Sequence, residues 1–309
     1  MKICLIGNEG HSSQAVAEMR ECPEATFVGI APGSPCENTA QYQRYGFPIY
    51  EDYEEMLDTL KPDVVIVSPV FGLTGKVSLA CAARGIDVFS EKPVASTLQE
   101  LEELREAVAK SGIRFSAMHY LRYEPSFYHA MREVRAGRIG TPRLLNARKS
   151  YKFGTRPAWY HDRALYTGTI PWVGIHAIDW LYCFSGEKFV SVSALSSGSP
   201  EMTAVMQYRM TNDVFATASL DYYRPTGAKG HGDDRMRVVG TKGIIEVCAK
   251  GYTVSDSEGV TEFCPEQAPK LAYEFLMGGE AVPAEEAMYL TEVALRSRQS
   301  ADEGGEVRI

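Results

Sequence analysis

The sequence predicts an α/β domain built on a doubly wound parallel sheet, followed by an α+β domain with a large, mostly antiparallel, open sheet. Its 309 residues exceed what one hydrophobic core usually supports, and they suit two domains. Residues 1–119 alternate short apolar runs with helical stretches, whereas the strand-like runs from about residue 189 follow one another directly. We therefore expect one domain over 1–119 and a second over 120–309.

The first half alternates strand-length runs rich in Val, Ile and Phe with helix-length stretches. Two of the helices carry start signals, because Asp52 with Glu55 and Thr97 with Glu100 have the spacing of a capping box. Strands separated by helices imply right-handed βαβ units and hence a parallel sheet. The predicted strands are 2–6, 26–30, 63–67, 86–90 and 114–117, and the predicted helices are 12–20, 37–45, 53–60, 73–84 and 97–110.

The second half opens with a helix at Pro125, which suits a first helical turn, and a strand at 143–150. Residues 154–172 are rich in aromatic residues, Gly and Pro, which indicates a long functional loop. A helix at 173–184, ending at Gly186, precedes consecutive strands with little helix between them, so this sheet is expected to be mostly antiparallel. Those strands are 189–195, 202–210, 213–221, 234–239 and 243–248, and a last helix covers 283–298.

Composition disfavours several classes of partner and location. The net charge is −8, and so acidic a surface repels nucleic acid and anionic membranes. No apolar run approaches the ~18 residues of a membrane span, and the first run is too short for a secretory signal. The seven cysteines are scattered and form no C-x-x-C pair, which predicts reduced thiols in a cytoplasmic protein and no metal site.

The loop after the first strand matches a dinucleotide-binding turn only in part. It reads Gly7-Asn8-Glu9-Gly10-His11-Ser12-Ser13 and enters a helix, at whose N-terminus a pyrophosphate would lie. The G-x-G-x-x-G spacing needs glycine at 7, 9 and 12, but Glu9 and Ser12 occupy two of these positions. Glu9 must point away from the pyrophosphate, or it weakens binding. The alternative is a tight turn that binds no ligand.

The end of the second strand leaves the type of cofactor open. A carboxylate there would hold the ribose 2′-hydroxyl of NAD, but the sequence reads Ala31-Pro32-Gly33-Ser34. Ser34 could meet the 2′-phosphate of NADP, yet no Arg lies within 31–40. We therefore expect NAD or NADP, with the preference unresolved.

Four segments carry the pattern of a known family. They are Ser90-Glu91-Lys92-Pro93 after a strand, 118–125 with Arg122 and Pro125, Gly174-Ile175-His176-Ala177-Ile178-Asp179, and Val239-Gly240-Thr241-Lys242-Gly243. In this order they resemble the Gfo/Idh/MocA family of NAD(P)-dependent sugar and cyclitol oxidoreductases. The resemblance implies an N-terminal Rossmann domain and a C-terminal domain whose open sheet commonly forms an oligomer interface.

The resemblance also implies roles for single residues. The family's active-site Lys matches Lys92, its catalytic His matches His176, and Asp179 matches a later acid of the same helix. Oxidation of a secondary alcohol needs a hydride acceptor, a base that titrates near neutrality and a cation beside the alkoxide, and these residue types supply the last two. With the loop, the predicted cofactor contacts are Gly7, Asn8, Gly10, His11, Ser12, Ser34, Ser68, Pro69, Glu91, Lys92 and His119.

The helix that carries His176 departs from the family pattern. The family has an Asp four residues before the His, where this chain has Trp172. We expect Asp179, on the same helix face, to orient His176, and Trp172 to face a sugar ring or pack in the core. Lys92 could instead be an exposed strand-end lysine, and His176 a structural helix residue. Aromatic and cationic residues mix over 151–166, and the predicted substrate contacts are Lys152, Arg163, Tyr166 and Trp172.

These features predict an NAD(P)-dependent dehydrogenase or reductase acting on CH–OH groups of a sugar, sugar derivative or cyclitol. Lys92 would polarise the reacting oxygen and His176 would exchange its proton. One alternative is a catalytically silent nucleotide- or sugar-sensing protein of the same fold, and another is a redox-assisted glycosidase with tightly bound NAD. The sheet after residue 189 lacks predicted covering helices, which predicts a homodimer or homotetramer built on that face.

Overall fold

The computed structural model describes residues 1–198, 200–279 and 281–309, which fall into two compact units. The first unit comprises Met1–Tyr120, Asp162–Thr167 and Pro269–Glu292, and the second comprises Leu121–His161, Gly168–Ala268 and Val293–Ile309. The α-helices are α1 (Ser12–Met19), α2 (Tyr53–Leu60), α3 (Thr74–Ala82), α4 (Leu98–Ser111), α5 (Pro125–Arg135), α6 (Arg163–Tyr166), α7 (Ile175–Ser185), α8 (Leu271–Met277) and α9 (Ala284–Glu303). The strands are β1 (Lys2–Ile6), β2 (Thr26–Ala31), β3 (Val64–Val67), β4 (Asp87–Ser90), β5 (Phe115–Ala117), β6 (Pro142–Tyr151), β7 (Phe189–Ser197), β8 (Thr203–Met210), β9 (Phe215–Asp221), β10 (Gly232–Gly240), β11 (Gly243–Cys248), β12 (Gly251–Asp256), β13 (Gly259–Phe263) and β14 (Glu306–Arg308).

The first unit is built on a parallel five-stranded sheet in the order β2-β1-β3-β4-β5, which confirms the predicted doubly wound domain. β3 is buried along its whole length, as expected of a parallel strand that helices cover on both faces. β1 lies between β2 and β3, so the carboxyl end of β1 opens the crevice where such folds bind ligands. The stretch predicted as a helix at 37–45 forms a 3-10 helix, Thr39–Tyr45.

Both predicted capping boxes supply an N-cap. The Asp52 carboxylate accepts a hydrogen bond from the Glu55 N–H at 2.8 Å, and the Thr97 hydroxyl accepts one from the Glu100 N–H at 3.1 Å. Each bond satisfies an amide that the helix leaves without a partner, and contributes about 1 kcal/mol. These caps fix the first turns of α2 and α4.

The second unit contains a nine-stranded sheet in the order β13-β12-β11-β10-β6-β9-β8-β7-β14. Every pair of neighbours is antiparallel except β6 with β9, which confirms a mostly antiparallel open sheet. The sequence analysis missed α8 and the strands β12, β13 and β14. The side chains of β13 are largely exposed, so this edge strand lacks the apolar alternation that identifies a half-buried strand.

The stretch 154–172, predicted as a loop, contains three short helical turns. They are a 3-10 turn at Ala158–His161, helix α6 and a π-helical turn at Ile170–Gly174. The Asp162 carboxylate caps α6 by accepting from the Ala164 N–H at 2.9 Å, and Pro171 occupies the first turn of the π segment. No helix within the described ranges is both long and apolar enough to cross a bilayer.

Candidate active site

The turn at Gly7 brings the backbones of two strand ends together. Gly7 has φ +75°, and a Cβ there would lie 2.3 Å from the Ser68 carbonyl oxygen, so a side chain is excluded. The Glu9 N–H donates to that same carbonyl at 2.9 Å, and the Ser68 hydroxyl donates back to the Glu9 carbonyl. The Asn8 Nδ2 donor is buried and has no hydrogen-bond partner among the described residues. A close-packed loop with an unused donor at the start of α1 fits a dinucleotide pyrophosphate.

Glu9 is half-buried in the phosphate loop. Burial raises the pKa of the Glu9 carboxyl, and the charge of Arg44 opposes that rise. The neighbouring Ser12 hydroxyl is buried and lies 3.2 Å from the Tyr45 hydroxyl.

Ser34, the predicted NADP contact, is bonded within its own loop. Its Oγ lies 2.9 Å from the Cys36 sulfur and accepts from the Cys36 N–H at 3.3 Å. Of the other predicted contacts, Gly10 is exposed with φ +56°, Pro69 packs beneath Gly7, and His119 is buried directly after β5.

Glu91 positions its neighbours at the carboxyl end of β4. Its buried carboxylate accepts from the His11 N–H at 2.6 Å and from the Lys92 N–H at 2.9 Å, and it lies 3.0 Å from His11 Nδ1. Burial alone would raise the pKa of Glu91, but the charges of His11 and Lys92 hold it below its usual value. An ionised Glu91 therefore joins the phosphate loop to the lysine of this site.

Lys92 is only 1% exposed, so it is not the exposed strand-end lysine of the alternative interpretation. Its Nζ lies 3.7 Å from Glu91 Oε1. A buried ammonium needs a compensating charge, and Glu91 supplies one. The ring of Tyr120 lies 5.5 Å from the His11 ring.

His176 and Asp179 are both buried on α7, in the second unit. Asp179 forms a bidentate ion pair with Arg122, whose Nε lies 3.0 Å from Oδ1 and 3.1 Å from Oδ2. The sequence analysis matched Arg122 only to a family position and did not pair it with Asp179. The pair gives Asp179 a cationic partner and anchors α7 to the segment before α5, whereas the expected contact of Asp179 with His176 stays a prediction.

Trp172 lies in the π-helical turn that leads into α7 and is buried. Its backbone N–H donates to the Gly168 carbonyl at 3.1 Å. A Cβ at Gly174 would lie 2.9 Å from the Leu220 Cδ1, so this turn packs tightly on the sheet. Single π turns inside helices recur at functional sites, and this one sets the direction of the side chains just before His176.

The four predicted substrate contacts are distributed over both units. Lys152 and Trp172 belong to the second unit, and Arg163 and Tyr166 belong to the first. The Lys152 ammonium donates to the carbonyls of Thr226 and Ala228 at 2.8 and 2.5 Å, so it holds a loop. Arg163 is exposed at the first residue of α6, whereas Tyr166 is buried with its ring 6.5 Å from that of Phe71.

Sequence reasoning missed a buried ion pair on the helix-facing side of the second sheet. Lys149 is 0% exposed, with its Nζ 3.0 Å from Asp234 Oδ2 and 4.3 Å from the centre of the Trp180 ring. Burial lowers the pKa of Lys149, and the Asp234 charge opposes this. The Tyr151 hydroxyl also donates to Asp234, at 2.9 Å. Lys149 lies on the same face of β6 as the buried Leu145 and Ala147, and this period-two pattern could have placed it inside.

Comparison with known proteins adds two family matches. The model described as "Oxidoreductase family, NAD-binding Rossmann fold" matches residues 1–119. The model described as "GFO/IDH/MocA C-terminal domain" matches residues 127–246.

Curated relatives and solved structures agree with these matches. Inositol 2-dehydrogenase 2 of Saccharopolyspora erythraea is 29% identical over 59% of this chain and 50% of its own length. The scyllo-inositol 2-dehydrogenase (NADP(+)) IolW of Bacillus subtilis is 27% identical over 48% of this chain and 42% of its own. The chain thus spans about half the length of the curated relatives it matches. A solved structure from Thermotoga maritima, described only as an oxidoreductase, is 40% identical over 100% of both chains, with a TM-score of 0.96.

Proposed function

We propose that this chain, which belongs to the Gfo/Idh/MocA family of oxidoreductases, transfers a hydride between NAD or NADP and a hydroxyl- or keto-bearing carbon. The substrate is a sugar, a sugar derivative or a cyclitol. One observation carries the proposal: a buried lysine, Lys92, lies at the carboxyl end of β4 in a sheet whose phosphate loop fits a dinucleotide. Doubly wound folds bind their ligands at this edge.

The residues of the chain divide the chemistry between them. When bound, the nicotinamide supplies the hydride acceptor or donor. The Lys92 ammonium places positive charge beside the substrate oxygen as it becomes an alkoxide. The His176 imidazole takes the hydroxyl proton, since imidazole changes its charge near neutral pH. Glu91 holds Lys92 in place, and Arg122 holds the helix of His176 through Asp179.

The substrate class rests on the relatives. Two of them are named as dehydrogenases of inositols, which are polyhydroxylated rings. Trp172, in place of an acid, offers an aromatic face that suits the apolar face of such a ring.

We further propose a homodimer or homotetramer built on the outer face of the second sheet. Apolar side chains are exposed there in cross-strand pairs: Leu195 (73% exposed) lies opposite Val205 (49%), and Leu144 lies opposite Phe215. Exposed apolar side chains paired across neighbouring strands favour an interaction site on this face. The scattered thiols suit a reducing compartment and support a cytoplasmic location.

The test is steady-state turnover on a panel of inositols, aldoses and their acids with NAD⁺ or NADP⁺, followed by nicotinamide absorbance. We expect turnover of at least one compound. The Lys92→Met variant should lose about 10³-fold or more in kcat. Binding of the dinucleotide without turnover of any compound would favour the sensing protein. Cleavage of a glycoside without net NADH release would favour the redox-assisted glycosidase.

A further inference from the structure

Glu37 joins the loops after β2 and β3. Its carboxylate accepts three hydrogen bonds: from the Tyr42 hydroxyl at 2.6 Å, the Gly33 N–H at 3.2 Å and the Val70 N–H at 3.1 Å. Gly33 belongs to the loop after β2, and Val70 to the loop after β3. The residue is 7% exposed. The segment directly after β2 contains no acid. Glu37 comes later in the chain, but its carboxylate lies beside Gly33 of that segment.

The position of Glu37 follows from the strand order. β1 lies between β2 and β3, so a carboxylate bonded to both flanking loops lies across the carboxyl end of β1. Pro69 bounds the same space, because it would meet a Cβ placed on either Gly7 or Gly33, at 2.5 Å in each case. Glu37 therefore borders the crevice entered by the phosphate loop. Dinucleotide folds place the acid that accepts a ribose hydroxyl at this point.

Glu37 retains the capacity to accept another donor. Its Oε2 accepts from Tyr42 and Gly33, whereas Oε1 accepts from Val70. A carboxylate oxygen can accept two hydrogen bonds, so Oε1 can take one from a ligand hydroxyl. A ribose 2′-hydroxyl is such a donor.

The local charge disfavours a phosphate at the same place. An ionised Glu37 places a negative charge between the loops after β2 and β3, where its carboxylate accepts from the Gly33 and Val70 N–H groups. Arg44, a cation of the 3-10 helix after Glu37, donates to the Ser13 and Tyr45 hydroxyls at 3.0 and 2.9 Å. A 2′-phosphate beside Glu37 would therefore meet negative charge and no donor from that carboxylate.

We propose that Glu37 is the ribose-binding carboxylate of this chain and that it selects NAD over NADP. The inference rests on the proposed function for the dinucleotide itself. It goes beyond the comparisons, in which one relative carries NADP(+) in its name.

The experiment measures Kd for NADH and NADPH at about pH 8, where Glu37 is ionised, by energy transfer from protein aromatics to the nicotinamide. The parent should bind NADH at least about tenfold more tightly than NADPH. Glu37→Gln should reduce that ratio about tenfold, because it removes a charged acceptor and the charge that repels a phosphate. Glu51→Gln, an exposed acid of the same unit, is the matched control and should leave it unchanged.

A second variant separates recognition from loop support. Tyr42→Phe removes one bond to Glu37 but keeps the carboxylate, so the ratio should stay near the parental value. If Tyr42→Phe shifts the ratio as far as Glu37→Gln does, Glu37 only supports the loops and the inference fails. It also fails if the parent binds NADPH as tightly as NADH. Absence of binding by both dinucleotides would instead overturn the proposed function.

Discussion

The guanidinium of Arg122 binds both carboxylate oxygens of Asp179, with Nε 3.0 and 3.1 Å from the two oxygens and Nη2 also donating to Oδ1. Both residues are buried, and a bidentate pair of this kind fixes orientation as well as distance. Asp179 and His176 share a face of α7, so the pair sets the position of that face. Asp179 lies three residues after His176 in α7, and Arg122 fixes its carboxylate.

The pair predicts strong coupling between its two members. Arg122→Met or Asp179→Leu alone should lower the free energy of unfolding by about 3 kcal/mol or more, since each leaves a buried charge without its partner. The double variant should lose less than the sum of the two single losses. Urea denaturation of the four proteins checks this, and additive losses would contradict it.

The regular elements of the first unit could be predicted because local signals agree with the fold. Continuous apolar runs such as Val64–Val67 identify buried parallel strands, and Asp52 and Thr97 mark helix starts that the structure uses. Edge strands such as β13 could not be predicted, because most of their side chains face solvent and carry no pattern.

The polar pairs of the site could be predicted least. Glu37 meets Val70, and Arg122 meets Asp179, across long stretches of sequence, and no local spacing indicates either contact. The sequence showed no acid directly after β2, yet a loop residue placed a carboxylate beside Gly33. Such contacts depend on the order of the strands and on the path of the loops, and neither can be read from the spacing of residues in a motif.

The turn at Gly7 requires glycine for two reasons, its backbone conformation and its close packing, whereas an ordinary left-handed glycine is required only for the first. Gly7→Ala should destabilise through both its φ of +75° and the contact at 2.3 Å with the Ser68 oxygen, and it should abolish NADH binding. Gly46→Ala is the matched control, because Gly46 has φ +72° with nothing within 4 Å of a Cβ. Gly46→Ala should lower the free energy of unfolding by about 1 kcal/mol. Gly7→Ala should lower it by about 2 kcal/mol more than that. Equal losses in thermal or urea unfolding would show that the close approach is absent.

Glu37 predicts a pH dependence of stability. Burial raises the pKa of Glu37 from 4.5 to about 7, against the hydrogen bonds from Tyr42, Val70 and Gly33. The folded state then binds the proton more tightly than the unfolded state, so the free energy of unfolding falls as pH rises from about 4.5 to about 7. Between about pH 5 and about pH 7.5, the free energy of unfolding of the parent should fall by up to about 3 kcal/mol more than that of Glu37→Gln. The measurement is urea denaturation of both proteins at several pH values. If their free energies of unfolding change with pH in parallel, the pKa of the Glu37 carboxyl is not raised by folding.

The outer face of the second sheet predicts self-association that one charge can disrupt. Leu195→Glu places a carboxylate beside Val205 in the most exposed apolar pair of that face, and burying it in an interface without a partner costs several kcal/mol. Light scattering should show a dimer or tetramer for the parent and a monomer for the variant. Ile49→Glu, on an exposed side chain of the first unit, should keep the parental assembly. A monomeric parent, or equal dissociation by both variants, would mean that this face does not hold the subunits together.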